Sequence, residues 1–445
     1  MTMDENTKTL IELVLGTDVS RRPDLAEAAG RAFADYSAAF LAGEKEGKAQ
    51  RLAGFLGTRP GSRPLLGFPY RVTPENAALF YGFASHVLDF DDAQAHVMGH
   101  LSTVLFSTLL AVVKPGDTAR DFLSAYLAGA ETEGILGRFI NPAHKRKGYH
   151  PTATLGHLGA AAALIRLRRL PEERAAELFS LAATQAAGLE IEAGTDTKPL
   201  HPGFAARNAV FSWLLLEKTG ITSSVVPFNN RNGWVKTVTG RDLLPETLRK
   251  RWLAPGEILV PGLWMKEHPY CSAAITGAAG CRKLYEEGFR MEDLSEVIFH
   301  FMPGADASLH YSHPETGQEG RFSMEYVAWQ VLHRGRVEDD LFLLDRVPEA
   351  FLEALPRMRR AGDLPAEAQE VRRIKVTATA KDGRCGEADV QDPAGSPARP
   401  FTEEELFRKL AAASDEERAA RILEGVKTWP EGEGRDILAL LGGRA

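Results

Sequence analysis

His86-Val-Leu-Asp-Phe-Asp-Asp-Ala-Gln-Ala-His-Val-Met-Gly-His100 sets three carboxylates (Asp89, Asp91, Asp92) among three histidines (His86, His96, His100). The stretch interrupts an otherwise apolar, helix-forming region. Acids flanked by Val87, Leu88 and Phe90 must find partners or shift their pKa, because burial penalises an unpaired charge. Such a cluster is a place where acid/base chemistry becomes plausible. Aspartates capping a helix–loop crossing would give the same pattern. Both readings stand on these fifteen residues alone.

Outward from this stretch, the first ~270 residues read as a helical array by apolar spacing and composition. Thr9–Leu15 and Asp24–Leu41 open it. Pro74 marks a helix start before Leu79–Ser85. Thr103–Val113 is apolar on nearly all sides and is expected in the core. Ala119–Arg138, Leu158–Leu170, Pro171–Ala187 and Phe204–Leu216 continue the pattern. From about Ala273 the character changes. A helix over Ala273–Glu287 precedes an alternating strand at Ser295–Met302. A second such strand at Arg373–Ala380 turns through Lys381-Asp-Gly-Arg into Cys385–Val390. Helices at Phe322–Leu332 and Pro348–Met358 complete a smaller α+β region, and the last ~45 residues read as helical again. The expected fold is therefore mainly α, with a helical domain over 1–270 and 401–445 and an α+β domain over 271–400.

Composition excludes several classes. The chain has 445 residues, 44% hydrophobic and 25% charged, as in an ordinary soluble globular protein. A net charge of −7 argues against nucleic-acid binding. No apolar run reaches the roughly 20 residues of a membrane span. The N-terminus lacks a basic region and apolar core of a secretory signal. Three cysteines (Cys271, Cys281, Cys385) form no CxxC, so a cytoplasmic setting is expected.

Four further segments carry polar residues where the helical pattern breaks. His144–Gly159 places His150 on a loop feeding an alanine-rich helix, whose N-terminus offers N–H groups to an anion. Gly194–Val210 carries Lys198 and His201 before another helix. Trp264–Ala279 carries Lys266, His268 and Cys271. His310–Ser323 is a loop with two histidines. The first three junctions together suggest a pocket for an anion. No HExxH, cysteine quartet, GxGxxG, GxSxG or Walker loop is present, so no metal or cofactor motif is found.

In order and spacing, His86-Val-Leu-Asp-Phe-Asp-Asp with His100, Gly148-Tyr-His-Pro-Thr, Thr197-Lys-Pro-Leu-His-Pro-Gly and Lys266-Glu-His-Pro-Tyr-Cys resemble the MmgE/PrpD family. That family includes 2-methylcitrate dehydratase, cis-aconitate decarboxylase and iminodisuccinate epimerase. The resemblance implies a homodimer with a discontinuous helical domain, an α+β lid and an active site in the cleft between them. It also implies a cofactor-free lyase or isomerase acting on a carboxylate by proton transfer. Asp89, His100, His150, Lys198 and Lys266 match the family's catalytic positions, and Cys271 matches a pocket position that varies in residue type.

The chemistry suits these residue types. Removing a proton next to a carboxylate builds a dianionic enolate, which needs cations nearby, here Lys198 and Lys266. A neutral imidazole serves as base near pH 7 and its protonated form as acid. His150 is expected to be the principal proton-transfer group, His100 the second, with Asp89 orienting a histidine or lysine. His201, Cys271 and Ala93 are expected to help bind substrate. Asp91 and Asp92 are expected to be structural, as are His96, His144, His157 and His268.

Departures from the family pattern bear on substrate. Ala93 stands where threonine commonly follows the acids, and Leu101-Ser102 replaces Pro-Gly or Pro-Ser. Phe204 stands where arginine or lysine is frequent, and Ser272 where arginine is. Two carboxylate-binding cations are thus missing, and a bidentate arginine is not easily replaced. A tricarboxylate such as 2-methylcitrate is therefore not the expected substrate. The leading expectation is a dehydratase of a small hydroxy-carboxylate. Epimerisation or decarboxylation at the same site is the alternative, and a non-catalytic ligand-binding homologue the third.

Overall fold

The structure, a computed structural model, describes residues 2–368, 370–429 and 434–442. It is mainly α-helical with a small α+β region, as expected. The chain divides into two compact units. The first comprises Met1–Ile191, Pro199–Leu263 and Thr402–Ala445; the second comprises Glu192–Lys198 and Trp264–Phe401.

In the first unit, proline opens several helices, where its missing N–H is no loss: Pro23–Gly43, Pro74–His86 and Pro151–Arg168. Ser102–Val112 is buried along its whole length, as its uniformly apolar surface requires. Pro151–Arg168 is almost as deeply buried, and its small residues let neighbours approach closely. Ala119–Ile140 packs along it, with Gly129 and Gly159 at the crossing. Leu200–Thr219 packs likewise on Pro74–His86. A Cβ on Gly82 would lie 2.6 Å from the Gly203 backbone, so only a glycine pair allows this crossing. The core is aromatic. Phe106 stacks on Tyr126 at 4.2 Å between ring centres, and Phe33 meets Phe106 edge-on at 5.1 Å.

The C-terminal part of the chain returns to this unit. Glu403–Ala413 starts with a capping box, Thr402 and Glu405 each bonding the other's amide. Glu416–Lys427 is capped by Asp415. Both pack against Pro23–Gly43.

The second unit is built on a mixed four-stranded sheet. Its order is Met358–Ala361, Leu294–Phe301, Ile374–Ala380, Cys385–Asp389. The first pair is parallel and the others antiparallel. Along Ile374–Ala380 alternate residues Ile374, Val376, Ala378 and Ala380 are buried, the period-two pattern of a sheet with one covered face. Ile275–Glu286 packs over that sheet, and Met324–Arg334 packs on the same helix.

The structure moves several expected boundaries. The helix expected over Pro348–Met358 stops at Ala354, because Pro356 cannot donate to a continuing helix; the chain then enters the edge strand Met358–Ala361. The helix expected from Leu158 begins at Pro151, so His150 is its N-cap residue. The helix expected from Phe204 begins at Leu200, which puts His201 in its first turn rather than ahead of it. Among the described residues, no helix is long and apolar enough to cross a membrane.

Candidate active site

The loop after Pro74–His86 is built by its own acids. Asp89 has φ +55°, a left-handed conformation that aspartate tolerates better than most residues. Its amide bonds the His86 carbonyl, closing the helix and turning Asp89–Asp92 back towards the helix end. All three aspartates are buried, with Asp91 fully inaccessible. His100 returns to this loop: its Nδ1 lies 2.7 Å from the Asp92 carbonyl and 3.1 Å from Asp91 Oδ2. Its Nε2 lies 3.7 Å from Asp89 Oδ1.

Asp91 is the organising acid. It also takes His86 Nδ1 at 2.8 Å, and the two imidazoles meet with ring centres 4.5 Å apart. Burial pushes the Asp91 carboxyl upward, but the charges and hydrogen bonds of His100 and His86 outweigh it and hold it well below the carboxylate range. The structural pairing expected for Asp91 is with His86 and His100, and Asp89, expected to orient a histidine or lysine, lies beside His100. Asp91 hydrogen-bonds His86 and makes an ion-pair contact with His100, whose Nδ1 hydrogen-bonds the Asp92 carbonyl, and Asp89 stands beside the other nitrogen of His100. His86, which helix periodicity alone marks as an ordinary buried residue, joins the cluster.

Ligand atoms of His86, Asp89 and His100 lie within 4.8 Å of one another, a spacing that would admit one cation. Asp91 contacts Nδ1 of each of the two histidines.

Behind this loop lies a buried polar layer. Ser102 donates to Asp92 Oδ2 and also meets the Tyr126 hydroxyl at 2.8 Å. Burial, with the neighbouring Asp35 charge, lifts the Asp92 carboxyl to about 8 despite the Ser102 bond. Glu133, fully buried against Gly159, is pushed well above the carboxylate range by burial and by Asp92. Lys409, from Glu403–Ala413, closes the layer. Its Nζ reaches Asp35 Oδ1 at 2.6 Å and the Phe90 carbonyl at 2.9 Å, and it sits 4.0 Å from the Phe90 ring centre. A lysine from the far end of the chain thus grips the aspartate loop. Nothing in the local sequence of that amphipathic helix marks Lys409 as anything but a surface residue.

Gly99 couples His100 to the second histidine site. A Cβ there would lie 2.6 Å from Thr152 Oγ1, so glycine lets the chain come close enough for the His100 amide to donate to that hydroxyl at 3.0 Å. Thr152 is two residues beyond His150. The His150 amide bonds the Gly188 carbonyl, and its Nδ1 lies 2.8 Å from His201 Nδ1. Each imidazole is buried. A bond between two Nδ1 atoms requires one to carry the proton and the other to accept it, so the two tautomers are coupled.

The neighbouring histidines have structural settings. His157 donates Nδ1–H to the Ala153 carbonyl and is met at Nε2 by Asn208. Burial holds it down at about 4. His144 stacks on Tyr149 and bonds Thr154, and burial, with Lys147, lowers it to about 4. His96 is held by Glu257 at 2.7 Å, and His268 by Asp339 at 2.8 Å. Ala93 is buried within the aspartate-to-His100 loop.

The second unit carries the expected cations. Tyr311 donates to the Ala193 carbonyl and Gln318 to Asp196, which fixes the segment ending at Lys198. Lys198 Nζ then lies 5.2 Å from the centre of the Phe322 ring. The Arg321 carbonyl, one residue earlier, accepts the Cys271 amide. Lys198 and Cys271 are thus brought to one neighbourhood through residues 321–322. Lys266 is 1% exposed, the most buried lysine of this set. Ser272 is buried beside Cys271, while Phe204, in the first unit, is exposed.

Two family models match the chain. Residues 8–246 match the MmgE/PrpD N-terminal domain, and residues 268–431 match the MmgE/PrpD C-terminal domain. The chain belongs to the MmgE/PrpD family. Among MmgE/PrpD relatives, human cis-aconitate decarboxylase is 34% identical over 146 residues, 32% of this chain and 30% of the relative. The mouse enzyme is 33% identical over 147 residues, with the same shares. A cis-aconitate decarboxylase-like protein of Aspergillus oryzae is 29% identical over 161 residues, 34% of this chain and 33% of its own length. The matches thus span about a third of each relative.

Proposed function

We propose that this MmgE/PrpD chain is a lyase that removes a proton α to a carboxylate of a small hydroxy-carboxylate and expels water. The observation that carries the reading is the buried His150–His201 pair, joined Nδ1 to Nδ1 at 2.8 Å. When His150 carries its proton on Nδ1 and donates it to His201, its Nε2 holds a lone pair, the form a base needs. His201 is an imidazole rather than a carboxylate, so it orients His150 without adding negative charge that would favour the imidazolium.

His100 has the opposite surroundings. Asp91 and Asp89 flank its two nitrogens at 3.1 and 3.7 Å, which favours the charged ring. It is assigned as the acid. The Cα–H bond breaks and the proton goes to His150. The electron pair forms an enolate of the carboxylate, then the carbon–carbon double bond, as the β-carbon–oxygen bond breaks. The departing hydroxide takes the His100 proton and leaves as water. Lys198 and Lys266 are assigned to the carboxylates, where they offset the enolate charge.

Decarboxylation is a second reading, favoured by the names of the human and mouse relatives. There the bond from carbon to the departing CO2 breaks, its electron pair stays on carbon, and a histidine returns a proton to that carbon. A ¹H NMR panel of hydroxy-, keto- and unsaturated carboxylates in D2O separates the two. Water loss from a hydroxy-acid supports dehydration, and CO2 release with deuterium incorporation supports decarboxylation. Neither outcome, and no α-deuteration, would remove both readings.

A further inference from the structure

We infer that Arg372 is the carboxylate-binding guanidinium of this chain, standing in for the arginine absent at Ser272, and that the substrate is a dicarboxylate. The inference rests on the proposed function and narrows its substrate class. Arg372 lies two residues before the strand Ile374–Ala380, in the same unit as Lys198, Lys266 and Cys271. Its guanidinium carbon lies 4.8 Å from the centre of the Trp264 ring, and the Cys271 sulfur is within electrostatic reach. Its Nη1 is sealed from solvent and has no hydrogen-bond partner.

Arg63, Arg168, Arg321 and Arg418 each leave Nε in that state, but among the described residues only Arg372 leaves an Nη so. The neighbouring Arg373 forks onto Asp389 and also meets Glu367. Arg360 forks onto Glu325, and Arg359 meets Glu296. Arg372 is half-buried, but a guanidinium N–H sealed from water needs an acceptor, because the desolvation of an unpaired donor is unfavourable. Burial draws Arg372 down to about 10, with only a thiol offsetting it, yet the group stays charged at neutral pH. The planar fork fits a carboxylate edge-on, and the Trp264 face restrains it in that plane. Lys198 stands on the same neighbourhood through Phe322, Arg321 and Cys271. Two carboxylates can therefore be held here, one by lysine and one by arginine.

Isothermal titration with citraconate and with angelate, which has methyl in place of one carboxylate, tests this. Wild type is expected to bind citraconate more tightly than angelate. Arg372→Gln should weaken citraconate about 10- to 100-fold and leave angelate nearly unchanged, the range set by one charge-assisted bond. Arg372→Lys should fall between, and Arg373→Gln should match wild type. Equal citraconate affinity in wild type and Arg372→Gln overturns the role of Arg372 while leaving the proposed function standing. Wild type that binds neither acid overturns the carboxylate site itself, and this inference with it.

Discussion

Replacing Lys409 by Met tests how the aspartate loop is held. Lys409 is 5% exposed and its partner Asp35 is fully buried, so the substitution leaves a carboxylate stranded in the core. Breaking a buried pair in this way costs about 3–5 kcal/mol. The lost bond to the Phe90 carbonyl and the contact with its ring fall within that range rather than adding fully to it. Urea unfolding is the assay. The control is Lys427→Met, whose partner Glu403 is exposed and whose removal should leave the midpoint unchanged. A second control, Lys409→Met with Asp35→Leu, removes both charges and should recover most of the loss. Activity reads the positional part: a loosened Phe90 carbonyl lets Asp89 and Asp91 drift, so kcat falls even in the stability-restored double variant. Equal midpoints for Lys409→Met and Lys427→Met would refute the reasoning, as would a double variant no more stable than the single.

Other outcomes follow from the same geometry. Asp92 is neutral in the fold because its carboxyl is raised to about 8, so its contribution to stability is complete below the ordinary value near 4 and lost as pH rises through about 8. Glu131, raised to about 7 by burial, acts in the same direction. The stability advantage of Asp92→Asn over wild type should therefore grow between pH 5 and pH 8, and urea midpoints that stay parallel would contradict it. Gly99→Ala should lower kcat/KM by ~10-fold or more with little change in urea midpoint, since displacement of His100 from Thr152 is small but catalytically misplaced. His201→Phe keeps the ring volume but removes the tautomer partner; the acidic limb of the kcat/KM–pH profile should shift, and an unchanged profile would exclude the pairing. Dialysis against a chelator should leave activity intact, because the proposed proton transfers run through the histidines; loss restored by one divalent ion would show that His86, Asp89 and His100 bind it.

Much of this was readable along the chain, for a physical reason. Helices such as Ser102–Val112 and strands such as Ile374–Ala380 carry their burial pattern in local periodicity, so residue order alone reveals them. His150 and His201 were marked by glycine and proline fixing the junctions around them. Contacts set by the third dimension were not readable. Lys409 meets Phe90 across more than three hundred residues, in a helix whose charges otherwise face solvent. Arg372 sits beside Arg373 in one polar run, yet only one of the two has carboxylate partners. Asp91 and Asp89 differ by two residues in a loop with no repeat, and the chain turns left-handed at Asp89 before Asp91 reaches His86.

The central claim is that His150 removes a proton α to a carboxylate. Deuterium exchange into citramalate and related hydroxy-dicarboxylates in D2O, followed by ¹H NMR, tests it most directly because exchange is visible even when turnover is slow. Wild type should exchange the proton at the carbon next to a carboxylate, and His150→Ala should do so about 10²–10⁴-fold more slowly while remaining folded. Exchange at the wild-type rate in His150→Ala would contradict the account.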